Sequence, residues 1–357
     1  MAALAVCCAG LFLSAGSARA AAPSGFVGIN APGLFARDDA YQEQMLSLMQ
    51  ANGVTVARQF FRWQVIEPAP GVFDFTDYDR MALHAAAHGI RLQVLLAGES
   101  PWGSTRPPGD TDHCVYPPRD PNEFADFATH VAQRYGRGGS LWRQHPEVAE
   151  WAATVYEIWN EPGIDVYWGC HSSPASYLLL SRTTGKAIRA VDSGAMIING
   201  SAPHKTIQSG FWPRVFRRMG RNERVFNAFG LHPYAPTVQG VLAIIRDARH
   251  FLVRFHRDFR PIYITEFGWA TGGPRSKYTV SEATQARYVR TAYLTLWRER
   301  EELGIQGITY YAWRDLPPPT DLPGSVDYWG LHTGLLHEDT TPKPALAALA
   351  QASQAMN

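Results

Sequence analysis

The sequence has few cysteines and no excess of charge of either sign. Its 357 residues contain four cysteines, 33 lysines and arginines, and 32 aspartates and glutamates, so the formal net charge is +1. This balance excludes the strongly basic surface by which proteins bind nucleic acid or anionic membranes, and we expect neither partner. No Cys-x-x-Cys or His-Glu-x-x-His motif occurs. We therefore expect no zinc site, and nothing in the sequence implies another metal or a cofactor.

Long hydrophobic runs are also scarce, and the longest lies at the start. Residues 1–20 are almost uncharged and end in Ala18-Arg19-Ala20, the small-x-small pattern typical of signal peptidase sites. We interpret them as a signal peptide that precedes a domain over residues 21–357. A membrane-spanning helix is the alternative, but the run is short for a bilayer and no second long run follows. The sequence thus predicts a secreted protein.

Secretion changes how the cysteines are interpreted. Removal of the signal peptide leaves Cys114 and Cys170 in an oxidising compartment, where cysteines commonly pair. They lie in two long loops, 99–120 and 162–174, that follow neighbouring predicted strands. We expect a disulfide that ties these loops together, and two separate buried thiols are the alternative.

Short β-branched or aromatic runs alternate with longer amphipathic runs about eight times, without a linker rich in serine, glycine or charge. This pattern predicts one domain. The predicted strands cover 26–30, 55–63, 91–98, 153–161, 195–201, 227–234, 262–269 and 305–313. The predicted helices cover 38–52, 76–89, 121–136, 174–191, 206–219, 237–258, 281–302 and 342–355.

Continuous apolar runs such as "LQVLL" are typical of strands buried between two layers of helices, as in a parallel sheet. Eight strand–helix units favour closure of that sheet into a single (β/α)8 TIM barrel. An open doubly wound sheet is the alternative. However, the first strand–helix junction, "GINAPGLFARDD", lacks the Gly-x-Gly-x-x-Gly motif of dinucleotide-binding sheets.

Two predicted strands end in a carboxylate. The stretch "VYEIWNEPG" ends its apolar run at Glu161, and "IYITEFGW" presents Glu266 in the same way. The carboxyl ends of barrel strands meet at one face, so both side chains are expected in the mouth of the barrel. Two acids placed together there favour acid–base or nucleophilic chemistry. The alternative is that each glutamate merely reaches solvent.

Five motifs together resemble glycoside hydrolase clan A, whose retaining barrel enzymes carry glutamates at the ends of strands four and seven. In chain order they are "VARQFFRWQVIEPAPGVFDFTDYD" (56–79), "IWNEP", "LHPYA" (231–235), "ITEFGW" and "YYAW" (310–313). Family 39 and the cellulase-like family 5 are the most similar members. The resemblance extends over nearly the whole mature chain and implies a (β/α)8 glycosidase.

The resemblance also implies roles for individual residues. Glu161 is expected to be the general acid/base and Glu266 the nucleophile, while Asn160 holds the 2-hydroxyl of the sugar. Arg58 is expected to contact Glu266 and keep it ionised. Its alternative role is a structural ion pair deep in the barrel.

Further binding residues are expected around this pair. His232 and Tyr234 alternate on the sixth strand, so they share a face and can orient either glutamate. Glu157 is assigned a structural role, paired with Arg58 or Arg62. Trp313 resembles the sugar platform of clan A, although a core tryptophan is the alternative. The other tryptophans expected near the strand ends to stack on sugars are Trp102, Trp168, Trp269 and Trp329.

We therefore expect a monomeric, retaining glycosidase that acts on a neutral β-linked poly- or oligosaccharide. Endo and exo action are both compatible with the sequence. A barrel that binds carbohydrate without cleaving it is the first alternative, and an inverting hydrolase is the second. The separation of the carboxyl groups distinguishes a retaining from an inverting hydrolase, at about 5–5.5 Å in retaining enzymes and about 6.5–9.5 Å in inverting ones.

Overall fold

The computed structural model describes residues 25–220, 223–257, 260–318 and 327–356. The predicted signal peptide, residues 1–20, lies outside the described residues. Strands in the described ranges are β1 Val27–Asn30, β2 Val56–Arg62, β3 Arg91–Ala97, β4 Val155–Ile158, β5 Met196–Asn199, β6 Ala202–Pro203, β7 Phe229–His232, β8 Ile262–Ile264 and β9 Ile305–Tyr310.

Helices occupy the segments between and after these strands. The described α-helices are α1 Asp39–Ala51, α2 Trp63–Ile66, α3 Thr76–Ala87, α4 Pro121–Tyr135, α5 Ser140–Gln144, α6 Pro174–Val191, α7 His204–Gln208, α8 Phe211–Arg218, α9 Val238–Arg254, α10 Glu282–Arg298, α11 Arg300–Leu303 and α12 Pro344–Met356. Short 3₁₀ turns cover Leu34–Ala36, Pro146–Trp151, Asp165–Tyr167 and Trp329–His332.

The strands form one parallel sheet in the order β5-β4-β3-β2-β1-β9-β8-β7-β6. A parallel bridge between Ile198 and Ala228 joins β5 to the start of β7 and brings the two ends of this sheet together. β5 and β6 are two pieces of one barrel strand, interrupted at Gly200 and Ser201, where Ser201 has a φ of 41°. The eight strand positions of the predicted (β/α)8 barrel are confirmed.

Local sequence signals account for several helix boundaries. The Ser173 side chain accepts a hydrogen bond from the Ser176 N–H, and Pro174 occupies the first helical turn of α6, where its missing N–H costs nothing. The prediction of one helix over 206–219 was wrong. The chain breaks it into α7 and α8 at Gly210, whose φ of 89° is one that glycine adopts readily.

The two long loops after β3 and β4 pack on each other at the carboxyl ends of the strands. The Val115 N–H donates to the Val166 carbonyl at 2.7 Å, and the Gly169 N–H donates to the Val115 carbonyl at 2.8 Å. The predicted disulfide between Cys114 and Cys170 is confirmed, with the two Cα atoms 5.4 Å apart. These contacts fix the loops over one part of the strand-end face.

Among the described residues, no helix has the length and apolar character needed to cross a membrane. The β3 side chains Val94, Leu95 and Leu96 are fully buried, as expected for a strand with helices on one side and the barrel interior on the other.

Candidate active site

Glu161 and Glu266 lie close together at the carboxyl ends of the strands. Glu266 comes two residues after the end of β8, and Glu161 comes three residues after the end of β4. The prediction that Glu161 ends its strand was therefore too long by three residues. The chain leaves strand geometry at Trp159 and Glu161, whose φ values are 70° and 48°. The Glu161 N–H then donates to the Gly200 carbonyl at 2.6 Å.

The two carboxylates are nearly enclosed but still reach solvent. Their side chains are 12% exposed for Glu161 and 10% exposed for Glu266. One oxygen of each carboxylate and one ring nitrogen of His232 all lie within 4.8 Å of one another. Oxygens this close can act together on one glycosidic bond, as the two carboxylates of retaining glycosidases do.

Arg58 supplies the positive charge beneath these carboxylates. Its Nη1 donates to Glu266 Oε1 at 2.7 Å, and its Nε and Nη2 donate to the two carboxylate oxygens of Glu157 at 2.8 and 3.1 Å. Nη2 also donates to Asn160 Oδ1 at 3.0 Å. Burial lowers the pKa of Arg58, but Glu157 and Glu266 outweigh that effect and raise it above its ordinary value. The guanidinium is thus permanently charged.

A second set of contacts holds Arg58 and Glu157 in place. The Asn30 side chain accepts from Arg58 Nη1 at 2.8 Å and donates to the Thr265 carbonyl at 2.9 Å. The Ser201 hydroxyl donates to Glu157 and lies 2.5 Å from the Thr265 hydroxyl. Because Glu157 is fully buried and bonded on both oxygens, it has the structural surroundings predicted for it.

His232 and Tyr234 each contact a glutamate. His232 Nδ1 lies 2.6 Å from Glu161 Oε1 and 3.5 Å from Glu266 Oε2, and the Tyr234 hydroxyl donates to Glu266 Oε2 at 3.0 Å. Burial lowers the pKa of His232, but the charges of Glu266 and Glu161 outweigh burial and raise the pKa above its ordinary value. Burial, followed by the charge of Glu266, raises the pKa of Tyr234, which therefore stays a hydrogen-bond donor.

Tyrosines form much of the remaining surroundings of the two carboxylates. Tyr167 and Tyr328 are each affected by the charges of both Glu161 and Glu266, after burial, and their pKa values are raised. Burial, followed by the charges of Tyr328 and Glu266, raises the pKa of Tyr311 as well. All three therefore stay neutral and present ring faces and hydroxyl groups rather than charge.

Three of the predicted sugar-stacking tryptophans are buried in the protein interior, so their prediction as binding residues was wrong. Trp313 is 2% exposed, and its indole N–H points to Met45 Sδ at 3.2 Å. Trp269 donates to the Ala235 carbonyl at 2.9 Å, and Trp168 packs edge-on against Trp159 at 5.4 Å. None of the three offers an open ring face on which a sugar could stack.

The remaining two predicted tryptophans keep some exposure. Trp102 is half-buried and donates to the Glu67 carbonyl at 3.1 Å, so it stays a proposed binding residue. Trp329 is also half-buried. It packs edge-on against Tyr234 at 5.2 Å, and this contact brings it next to the Glu266 side of the site.

Two groups of side chains in the described residues have the spacing of metal ligands. The first is Glu161, His232 and Glu266, whose nearest oxygen and nitrogen atoms already bond to one another and to Arg58. A cation there would have to displace a guanidinium at 2.7 Å. The second consists of Asp112 with Cys114 and Cys170, but these cysteines form the disulfide and offer no thiolate.

Several residues of the site were missed by the sequence predictions. Asn30 and Thr265 lie at the ends of β1 and β8, the positions where barrel enzymes carry functional groups, so their position alone was a signal. Tyr311 belongs to the "YYAW" motif, but the sequence predicted Trp313, not Tyr311, as the sugar-binding residue of that motif. Ser201 and Tyr328 carried no recognisable signal in the sequence.

Comparisons with known proteins find similarity to glycoside hydrolases. The glycoside hydrolase family 42 model, described as beta-galactosidase, matches residues 35–112. A beta-xylosidase of Geobacillus stearothermophilus is 20% identical over 254 residues, which are 66% of this chain and 46% of the relative. The chain thus spans about half the length of this curated relative.

Many solved structures share the fold, and they include two glycoside hydrolases of the predicted families. A family 39 glycoside hydrolase from Bacteroides cellulosilyticus WH2 has a TM-score of 0.67 and 19% identity, and the alignment covers 92% of this chain and 63% of that one. A family 5 mannosidase from Rhizomucor miehei has a TM-score of 0.60 and 12% identity, with 94% of both chains covered. The predicted resemblance to families 39 and 5 is confirmed for the fold.

Proposed function

We propose that the chain is a retaining glycoside hydrolase that cleaves O-glycosidic bonds, with Glu161 as general acid/base and Glu266 as nucleophile. The observation that carries this proposal is the spacing of the two carboxylates, whose nearest oxygens lie within 4.8 Å. The family 39 and family 5 neighbours are glycosidases by description, and they support the same assignment.

The contacts of the two carboxylates distinguish their roles. Glu266 bonds to the guanidinium of Arg58 and to the hydroxyl of Tyr234, and both donors favour a charged carboxylate that can attack an anomeric carbon. Glu161 bonds only to His232 among the side chains of the described residues, and it has no arginine contact. It is therefore the group that can hold a proton for the leaving oxygen.

The proposed reaction has two steps. Glu266 attacks the anomeric carbon and forms a glycosyl ester, while Glu161 gives its proton to the departing oxygen. Water then gives a proton to Glu161 and attacks the same carbon, which releases the sugar and restores Glu266. Asn160 is proposed to bond the 2-hydroxyl, since its side chain is held by Arg58 at 3.0 Å next to Glu161.

A neutral sugar is the proposed substrate. The only cation that contacts the carboxylates in the described residues, apart from His232, is Arg58, and Glu157 and Glu266 neutralise its charge. Tyr167, Tyr311 and Trp329 supply neutral aromatic surface instead. We also propose that the protein is secreted, because disulfides such as Cys114–Cys170 persist in oxidising compartments.

The role assignment is tested by Glu161→Gln and Glu266→Gln on two aryl glycosides, one with a poor and one with a good leaving group. Each variant is expected to lose several decades of kcat on the poor leaving group. The good leaving group needs little proton donation, so it should partly rescue Glu161→Gln but not Glu266→Gln.

Azide and the anomer of the product complete this experiment. Azide should restore turnover only to Glu161→Gln and should give a β-glycosyl azide, whereas the wild-type protein should release the retained anomer. Glu157→Gln is the control for loss of a nearby carboxylate, and no azide rescue is expected from it. Equal rescue of the two site variants, or an inverted product, would contradict the proposal.

A further inference from the structure

A cavity of about 530 Å³ lies on the outside of the barrel, between α7, α8 and α9. It is separate from the carboxylate site, since neither Glu161 nor Glu266 lines it. The charged and titratable residues of its wall are His204, Arg214, Arg217, Asp247, His250 and Arg254. We call this the helical cleft.

The arginines of the helical cleft have no ion-pair partner among the described residues. Arg214, Arg217 and Arg254 are exposed, and none of them forms an ion pair with a described acidic side chain. Other exposed arginines do find such partners, for example Arg246 with Glu299 at 2.7 Å. Three unpaired arginines around one concave surface repel one another unless an anion lies between them.

The one acidic side chain of the cleft wall does not neutralise the arginines. Asp247 lies 3.1 Å from His204 Nε2, so its nearest oxygen is engaged by a histidine from α7. A concave surface with three permanent positive charges and one engaged carboxylate attracts anions. This is notable in a chain whose formal net charge is only +1.

We propose that the helical cleft binds an oxyanion, that is a phosphate, sulfate or carboxylate group, carried by a ligand of about sugar size. Guanidinium groups bind such planar or tetrahedral oxyanions with two parallel hydrogen bonds. The volume of about 530 Å³ lies within the range of roughly 300–1,000 Å³ that small-molecule sites occupy.

The composition of the rest of the wall favours a ligand larger than a free ion. Ile207, Pro213 and Phe251 supply apolar surface beside the arginines, and Gln208 supplies an amide. Such surface suits the carbon skeleton of a sugar acid or sugar phosphate. A bare sulfate ion would leave it uncovered.

The helical cleft also begins at the same end of the barrel as the carboxylates. His204 directly follows Pro203, and the backbone of Pro203 pairs with that of His232 in the sheet. An anionic ligand could therefore bind next to the strand-end face without entering the site. The proposal stands on the cleft residues alone and does not depend on the proposed glycosidase activity.

The test is calorimetric titration of the full protein with inorganic sulfate, glucose 6-phosphate, glucuronate and, as the neutral control, glucose. We expect the three anions to bind with millimolar or tighter affinity and glucose not to bind. Tighter binding of the sugar anions than of sulfate supports a sugar-borne group, and equal binding of sulfate and the sugar anions would contradict the proposed ligand size.

Two variants locate the binding. The triple change Arg214→Gln, Arg217→Gln and Arg254→Gln should weaken anion binding at least tenfold, and Asp247→Asn should strengthen it by removing the one carboxylate that the described residues place in the cleft wall. The matched control changes three exposed arginines outside the cleft to glutamine, with the same loss of net charge: Arg143, Arg287 and Arg290.

The proposal is overturned if none of the anions binds, if glucose binds as well as they do, or if the control triple variant weakens binding as much as the cleft triple variant. All the substituted side chains are exposed, so each variant is expected to fold, and near-ultraviolet circular dichroism checks this.

Discussion

Replacement of Arg58 by methionine should separate the stability of the barrel from the activity of its site. The arginine is 2% exposed, and it is the only cation that contacts the fully buried Glu157 in the described residues. Removal of one partner of a buried ion pair leaves an uncompensated charge, which costs about 3–5 kcal/mol. Urea denaturation should show a loss of free energy of unfolding of that size.

The double variant Arg58→Met with Glu157→Gln should recover most of this loss, because no charge is then stranded beneath the site. Activity should not recover. Glu266 still lacks the guanidinium that lies 2.7 Å from it, so we expect kcat/KM on an aryl glycoside to stay at least tenfold low, equivalent to about 1.4 kcal/mol.

Arg246→Met is the matched control. Its ion pair with Glu299 has the same 2.7 Å separation as the Arg58–Glu266 pair, but the arginine side chain is 49% exposed. Exposed pairs contribute about 0–1 kcal/mol, so this variant should lose little stability and no activity. If Arg58→Met costs no more stability than the control, the burial reasoning is refuted. If the double variant regains full activity, the contact of Arg58 with Glu266 is irrelevant to catalysis.

Three further predictions concern the loops, the histidine and the tryptophans. A thiol assay on the denatured, unreduced protein comprising residues 21–357 should find no free thiol, and two free thiols would contradict the disulfide. Changing Cys114 and Cys170 to serine should lower the free energy of unfolding by about 2–4 kcal/mol. Folding raises the pKa of His232, so the stability that its charge contributes is fully present below the unfolded pKa of about 6.5 and is lost as pH rises through the folded pKa. His232→Asn should therefore cost more stability at pH 5.5 than at pH 9, and a cost that does not depend on pH would contradict this. Trp329→Ala should raise KM with little loss of stability. Trp313 is buried, so Trp313→Ala should instead lower the free energy of unfolding by about 3–5 kcal/mol. A raised KM in the milder variant Trp313→Phe would support the predicted role of Trp313 as a sugar platform.

The sequence predicted the barrel well because hydrophobic periodicity is a local property. The predicted helix over 174–191 coincides with α6, and the predicted strand over 91–98 exceeds β3 by one residue. The pairing of Glu161 with Glu266 was also predictable, because strand ends of a parallel barrel share one face whatever the loops do. Arg58 could be predicted as their partner through the resemblance to clan A.

The direction of a side chain beyond a strand end was not predictable. After β9 ends at Tyr310, the backbone N–H of Trp313 donates to the Asn30 carbonyl at 2.8 Å. The indole of Trp313 then points to Met45 on α1, away from the mouth of the barrel. Tyr311, two residues earlier, lies on the Glu266 side instead. Strand alternation no longer applies in this segment, so the choice between the two aromatics depended on contacts distant in sequence.

The interruption of the fifth barrel strand connects both carboxylates to the barrel wall. A Cβ on Gly200 would lie 2.5 Å from the Ile158 carbonyl oxygen, so only glycine allows the approach that brings its own carbonyl to the Glu161 N–H. The next residue, Ser201, bonds to the hydroxyl of Thr265, the residue before Glu266. One dipeptide thus contacts the backbone of the β4 end and a side chain of the β8 end. The two carboxylates are therefore fixed by hydrogen bonds just beyond the strand ends rather than by a long loop, which is the rigidity that a reaction with two cooperating carboxylates requires.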